Sequence, residues 1–203
     1  MYHFHDTGKN SPFNNLSHQE NDRYFLYERG ENLGAFLFHI SLNHVIHYRR
    51  IIKVIQSIAP FFSDFYFNPN SEGYLRLQWR SKFSSFIYGV NDLSDGTLRF
   101  IALCALFLQP QLPQVLIIDE PELGLHPTAI TKLAGMIKSV AEKGTKVIAA
   151  TQSSDLVNQF LPEDILTIDL VEGSSQFGRL EQQDLQSWMD NYALGELMEE
   201  PYH

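Results

Sequence analysis

The chain holds a single cysteine, Cys104, so no internal disulfide can form and a reducing compartment suits it. It is poor in cations: Lys and Arg total 15 against 24 Asp and Glu, a formal net charge of −9. That excludes an overall basic footprint for nucleic acid and leaves only a local patch at Arg49, Arg50 and Lys53. No apolar run reaches the roughly 18–20 residues of a membrane helix. Met1–Asn10 is polar and His-rich, unlike a secretory leader. The expectation is a cytoplasmic protein with no membrane partner. Internal repeats and low-complexity tracts are also missing. What is present is ordinary for a folded chain: 203 residues, 44% hydrophobic and 19% charged, enough for one core.

A further absence is chemical. Thr7-Gly8-Lys9-Asn10 has the Gly-Lys of a phosphate loop, but His3 stands where the first Gly is required and Asn10 where Ser or Thr is required. No apolar strand leads into it. The histidines His39, His44 and His47 have partial metal-ligand spacing, yet no further ligand is evident on another element, so ordinary histidines are expected.

Against these absences stands Val115-Leu-Ile-Ile-Asp-Glu-Pro-Glu-Leu-Gly-Leu-His-Pro127. Its short β-branched run, bounded by Pro113 and Pro121, predicts a buried parallel strand. Asp119 and Glu120 then fall at the strand's C-terminal end, the edge where open α/β sheets bind ligands. Two carboxylates there suit phosphoryl transfer, one holding Mg²⁺ directly or through water, the next polarising a water. Upstream, Asp92-Leu93-Ser94-Asp95-Gly96-Thr97 precedes the apolar run Leu98–Leu108. Ser94 and Asp95 can cap that helix, and Gly96 admits an anion to the first-turn N–H groups. Read alone, this is only a good N-cap.

Around these two motifs the chain reads as follows. Asn32 to Ala59 is helical, with Asn32 as N-cap and a break near Ser41–Asn43. Phe61–Phe67, Tyr74–Arg80 and Phe83–Val90 predict antiparallel strands. Pro127–Glu142 is an amphipathic helix stopped by Gly144. Lys146–Thr151 predicts a buried strand, Leu156–Phe160 a short helix, and Ile165–Leu170 a third strand parallel to the other two. Glu172–Gln176 reads as a turn and Leu185–Met198 as a helix.

The two motifs, in this order and spacing, resemble the signature and Walker B motifs of ABC-type ATPases. The likeness is to the RecF/SMC/Rad50 side and to bacterial AAA-type ATPases with Leu-Ser-Asp-Gly-Thr and Asp-Glu-Pro-Glu-x-x-Leu-His-Pro. It covers residues 90–170 well and the region before more loosely. The resemblance implies an α/β partial domain of the P-loop NTPase (ABC ATPase-like) fold. Residues 1–90 would form a helical lobe with antiparallel strands, and residues 91–203 the signature and Walker B part, a parallel sheet with flanking helices.

The roles it implies are these. Glu120 would act on the hydrolytic water and Gln152 would hold the switch position, where His is usual. Asp119 would support the Mg²⁺ of bound ATP. Ser94, Asp95 and Gly96 would serve the γ-phosphate of a nucleotide held by a second subunit, and His126 would occupy the D-loop position. The Gln152 amide can donate to a phosphate or orient water, but it cannot carry a proton charge. Asp95 and His126 depart from the transporter pattern, which argues against a transporter subunit.

Because the phosphate loop is missing, the chain resembles the C-terminal portion of such an ATPase, inactive alone. ATP and Mg²⁺ belong to the complete protein. The implied partner is a second copy, or a Walker A-bearing N-terminal half, in a head-to-tail dimer. Nucleic acid is a candidate ligand of the parent, in DNA repair or mobile-element defence. The alternative is a non-enzymatic, partner-binding remnant of the fold.

Overall fold

A computed structural model describes residues 1–171 and 173–179. The chain divides into two units, Met1–Ala150 and Thr151–His203. In order, the first unit contains β1 (Ser17–His18), α1 (Leu33–Asn43), α2 (Val45–Ile58), β2 (Phe62–Tyr66), β3 (Tyr74–Leu75), β4 (Gln78–Ser81) and β5 (Ile87–Gly89). It continues with α3 (Asp95–Phe107), β6 (Val115–Asp119), α4 (Pro127–Ala141) and β7 (Lys146–Ala150). The second contains α5 (Ser154–Val157), β8 (Leu166–Val171) and β9 (Ser174–Arg179). The helix expected over Leu185–Met198 lies outside the described residues.

The core of the first unit is α3. Ser94 caps it, its hydroxyl accepting the Thr97 N–H at 3.3 Å, and Asp95 complements the N-terminal dipole. Leu98 and every residue from Phe100 to Phe107 are buried, so the helix is apolar nearly all round. It packs on α2 and α4. Each buried Phe or Leu there stabilises the fold by about 1.5–3 kcal/mol relative to an exposed one. Pro110 and Pro113 follow its end and prevent its extension. Burial also pushes the Cys104 thiol well above its usual range, so this sulfur stays protonated and unreactive.

The helical break falls at His44, one residue past the expected stretch. The expected cap of α1 is corrected. The Asn32 side chain does not bond the helix. It turns back, accepting from the Tyr27 N–H and donating to the Asp22 and Phe25 carbonyls. The first turn is instead served by Ser17 of β1, whose hydroxyl accepts the Ala35 N–H at 3.0 Å. Sheet β2-β4-β5 is antiparallel and lays Phe62, Phe65 and Trp79 against the core, as expected for this lobe. Tyr74–Arg80 is not one strand. Its first part, β3, pairs with β1 and its last, β4, joins the sheet, while β5 is shorter than the expected Phe83–Val90.

At the junction of α1 and α2, the His39 and His44 rings lie 5.8 Å apart and the His44 and His47 rings 6.2 Å apart. Among the described residues no group of three or more His, Cys, Asp or Glu side chains is placed to hold a metal ion, these histidines included. Burial first, then the charges of Arg23 and His44, lower the His39 pKa below 6.5. Burial, then His44, Lys143 and Arg50, lower that of His47. A base with a depressed folded pKa stabilises the fold above its unfolded value, and that stability is lost as pH falls through the folded one. Urea midpoints should therefore drop on going from pH 8 to below pH 6. The double replacement His39→Gln, His47→Gln should flatten that decline, and an unchanged slope would refute the assignment.

β6 and β7 pair in parallel, Val115 with Lys146 through Asp119 with Ala150. The expectation that both strands are buried is corrected. Leu116 and Ile118 are 0% and 1% exposed, but Val115, Ile117 and Ile148 are 48%, 40% and 50% exposed. Ile117 and Ile148 are register partners, so one face of the pair is uncovered and apolar. Among the described residues β7 pairs with β6 alone, leaving its outer edge open. On the far side of β6, Tyr2 makes a single parallel bridge to Ile118.

In the second unit, β8 does not join a parallel sheet. It pairs antiparallel with β9, Leu166 with Arg179 through Val171 with Ser174. The expected turn over Glu172–Gln176 is thus tighter, with Gly173 at φ 80° and Ser174 already in the strand. A two-sided, largely exposed run such as Leu166–Val171 has no buried face to fix its partner.

Candidate active site at the end of a parallel strand

β6 carries Asp119 to its C-terminal end, where the chain leaves the strand through Glu120. Glu120 sits at φ 38°, the single non-glycine residue with positive φ among those described. A residue with a Cβ holds this left-handed form at a cost of order 1 kcal/mol or more, and such strain persists only where neighbours over-determine it. The neighbours are visible. The Glu120 N–H donates to Ala150 O at 2.8 Å, and its carbonyl accepts the Leu123 N–H at 3.2 Å. The preceding Asp119 carbonyl is bonded by the His5 ring Nε2 at 3.0 Å. The Asp119 N–H donates to Tyr2 O, and His3 Nδ1 lies 3.5 Å from the Asp119 carboxylate. That carboxylate is about one-third exposed.

The loop after Glu120 returns to the head of α3. Gly124 is at φ 72°. An ideal Cβ on Gly96 would lie 2.4 Å from the Gly124 carbonyl oxygen, closer than any real contact. Gly96 is thus required by packing within the chain, a reason the sequence reading did not supply. Arg99, one turn further on, donates from Nε to Phe4 O at 3.0 Å, from Nη2 to His5 O at 2.7 Å and from Nη1 to Leu123 O at 2.7 Å. Sequence reasoning missed Arg99, His3 and His5. The available signal was that Arg99 is the lone charge in Leu98–Leu108 and must find partners if that helix is buried.

His126 is the N-cap of α4. Its Nδ1 accepts the Thr128 N–H at 3.3 Å, which puts any ring proton of the neutral form on Nε2, and Pro127 fills the first helical position. Ser94 and Asp95 are exposed at the head of α3, and the Ser94 hydroxyl bonds the Thr97 N–H and Oγ1. Gln152 belongs to the second unit and is exposed; the cap of α5 is Ser153, whose hydroxyl accepts from Leu156 N. The structure brings Asp119, Glu120, Gly96 and the His126 loop into one unit.

The donor set suits a hard cation: Asp119 and Glu120 offer carboxylate oxygen, and a nucleotide would supply the remaining oxygens. A phosphate cradle is another matter. Gly8 and Lys9 form a turn in which Ser11 N–H bonds Gly8 O, followed by a three-residue 3-10 helix at Pro12–Asn14. Among the described residues no Gly-rich loop joins a strand to a helix with a lysine at its head.

The family model described as "AAA domain, putative AbiEii toxin, Type IV TA system" matches residues 3–158, and the chain belongs to that family. It is a AAA domain, and its fold is like that of SMC heads. A protein of Clostridium tetani (strain Massachusetts / E88) described as "Putative ABC transporter ATP-binding protein" is 32% identical over 69 residues, 34% of this chain and 15% of that protein. One of Bacillus thuringiensis subsp. konkukian (strain 97-27) is 25% identical over 89 residues, 41% of this chain and 16% of that protein. The chain thus matches only a small part of the length of these curated relatives. Among solved structures, one described under ATP-driven dimerization and DNA stimulated activation of SMC ATPases has a TM-score of 0.55 at 15% identity. It covers 82% of this chain and 99% of that one. The Smc head domain of Pyrococcus yayanosii gives 0.56 at 13% identity, covering 84% of this chain and 31% of that one. The α/β fold of SMC-type P-loop ATPase heads is shared. No helix among the described residues is long and apolar enough to cross a membrane.

Proposed function

We propose that this chain is the signature- and Walker B-bearing portion of an ATP-hydrolysing ABC/RecF-type ATPase, completed by a segment that carries the phosphate loop. One observation carries this reading. β6 delivers Asp119 and Glu120 to the C-terminal edge of a parallel pair whose one face and outer edge are bare among the described residues. Parallel sheets are covered on both faces. The occupant that fits is a strand parallel to β7 with a helix over Val115, Ile117 and Ile148, which is the shape of a phosphate-loop βα unit. Residues 1–90 form the lobe and 91–203 the signature and Walker B part of the nucleotide-binding domain.

Mg²⁺-bound ATP supplies the phosphoryl group and charge neutralisation when bound. Asp119 holds the cation, directly or through water. Glu120 orients the attacking water and accepts its proton. Gln152 serves the switch position. Ser94, Asp95 and Gly96 at the head of α3 face the nucleotide of a second copy, with the His126 loop beside them. The likeness to SMC heads, one of them described by ATP-driven dimerization, supports the head-to-tail pair. The family description and the same likeness support a parent in mobile-element defence or DNA repair.

The test is phosphate release by the complete protein. Glu120→Gln should lower kcat by roughly 10²–10⁴-fold, the usual range for a general base, with ATP still bound. Turnover that survives this substitution would remove Glu120 from the mechanism. The bare sheet face also favours a second reading for the 203 residues alone, a non-enzymatic module that binds a partner there. Complete protein without ATP turnover would leave that one standing.

A further inference from the structure

Glu120 is strained, and something must hold it. Its peptide is fixed on both sides. Upstream, the Asp119 carbonyl is bonded by the His5 ring. Downstream, the Glu120 carbonyl accepts from Leu123 N–H. Arg99 bonds the backbone of both clamping residues, through His5 O and Leu123 O, and Phe4 O as well. All three acceptors are neutral carbonyls from two separate segments, so the guanidinium acts as a strut between them. Gly124 makes room for it, since a Cβ there would meet Nη1 at 2.6 Å. Arg99 also stands on α3, five residues past Ser94, so the strut is anchored in the helix whose head carries the signature turn.

We propose that Arg99 is a positioning residue, which keeps Glu120 in its left-handed conformation by bracing His5 and Leu123 against the signature helix. Its role in hydrolysis rests on the ATPase reading above. The brace itself does not, because it is built entirely from this chain. A lysine cannot replace it: an ammonium is a single point, whereas Nε, Nη1 and Nη2 reach three carbonyls in a fixed planar fork. Release of the brace lets the Glu120 backbone relax toward negative φ and moves the carboxylate off its water. Misplacement by about 1 Å costs up to about 10²-fold in rate.

The experiment has two arms, each read on Arg99→Met and Arg99→Lys. In the 203-residue chain, hydrogen exchange at the Leu123 and Asp119 amides should rise about tenfold or more, while amides inside α4 keep their protection. In the complete protein, kcat for ATP should fall about 10- to 100-fold with KM changed less than about twofold. Combining Arg99→Met with Glu120→Gln should give no loss beyond Glu120→Gln alone. Wild-type exchange at Leu123 and Asp119 in either variant overturns the proposal. So does a uniform rise through α4, which marks a merely structural residue, and so does full rescue by lysine. If the wild-type complete protein releases no phosphate, the ATPase reading fails and the exchange arm decides the brace alone. If it does and the variants keep kcat, the brace has no catalytic part and the ATPase reading stands.

Discussion

Mg-ATP titrated into the 203-residue chain should give no saturable heat, and the chain should release no phosphate. Asp119 and Glu120 place two carboxylates at the end of β6, and a triphosphate meets them as like charge. At about 4 Å, each such pair repels by about 1 kcal/mol in water and about 4 kcal/mol at an effective dielectric near 20. A bound Mg²⁺ offsets part of this. The groups that would hold the β-phosphate are not among the described residues, because Gly8 and Lys9 lie in a turn followed only by the three-residue 3-10 helix Pro12–Asn14, with no α-helix N-terminus behind them. Ser94 offers hydrogen bonds of roughly 1.5–3 kcal/mol each to a charged oxygen. Association costs an estimated 4–15 kcal/mol of lost freedom before any surplus appears as affinity. The balance is unfavourable. Micromolar binding with steady phosphate release, abolished by Glu120→Gln, would show that a phosphate site exists within these residues after all.

That expectation was legible in the sequence because its parts are local. The β-branched run into Asp119-Glu120, the Ser94 cap, the helix from Pro127 and the parallel partner at Lys146 are each written in a contiguous stretch. What was not legible depends on which of several possible partners a segment or side chain takes in the fold. An apolar run such as Val115–Ile118 reads the same whether one face or both are covered, so the bare face of β6 and β7 appears only in the fold. Leu166–Val171 announces a strand but not its neighbour, and the nearby Ser174–Arg179 takes it as a hairpin. Arg99 finds acceptors 94 and 95 residues away, and they are backbone carbonyls, which have no sequence signature. Asn32, expected to cap α1, stitches the preceding loop instead, and Ser17 serves the first turn of the helix. A side chain that can cap a helix can equally stitch a loop, and tertiary packing chooses.

Gly96→Ala should destabilise the nucleotide-free chain, and the sign separates two explanations of that glycine. If Gly96 serves only to admit a phosphate, alanine is the better helix former and should stabilise α3 by up to about 1 kcal/mol. The structure sets a contact against that gain. The new Cβ would stand 2.4 Å from the Gly124 carbonyl oxygen, and the obstacle is backbone, so no side chain can swing aside. Gly124 is itself fixed: it sits at φ 72°, and the Leu123 carbonyl before it is held by Arg99 Nη1 at 2.7 Å. Forcing an extra carbon into a well-packed contact costs typically about 1–3 kcal/mol. The net expectation is a loss of about 1–2 kcal/mol, read as a lower urea midpoint with an unchanged slope. Because Leu123 N–H is bonded to the Glu120 carbonyl, the same displacement reaches Glu120, and exchange at the Leu123 amide should quicken along with it. A midpoint equal to or above that of the wild type would show that the loop yields freely. Gly96 would then be explained by a ligand and not by the packing of its own chain.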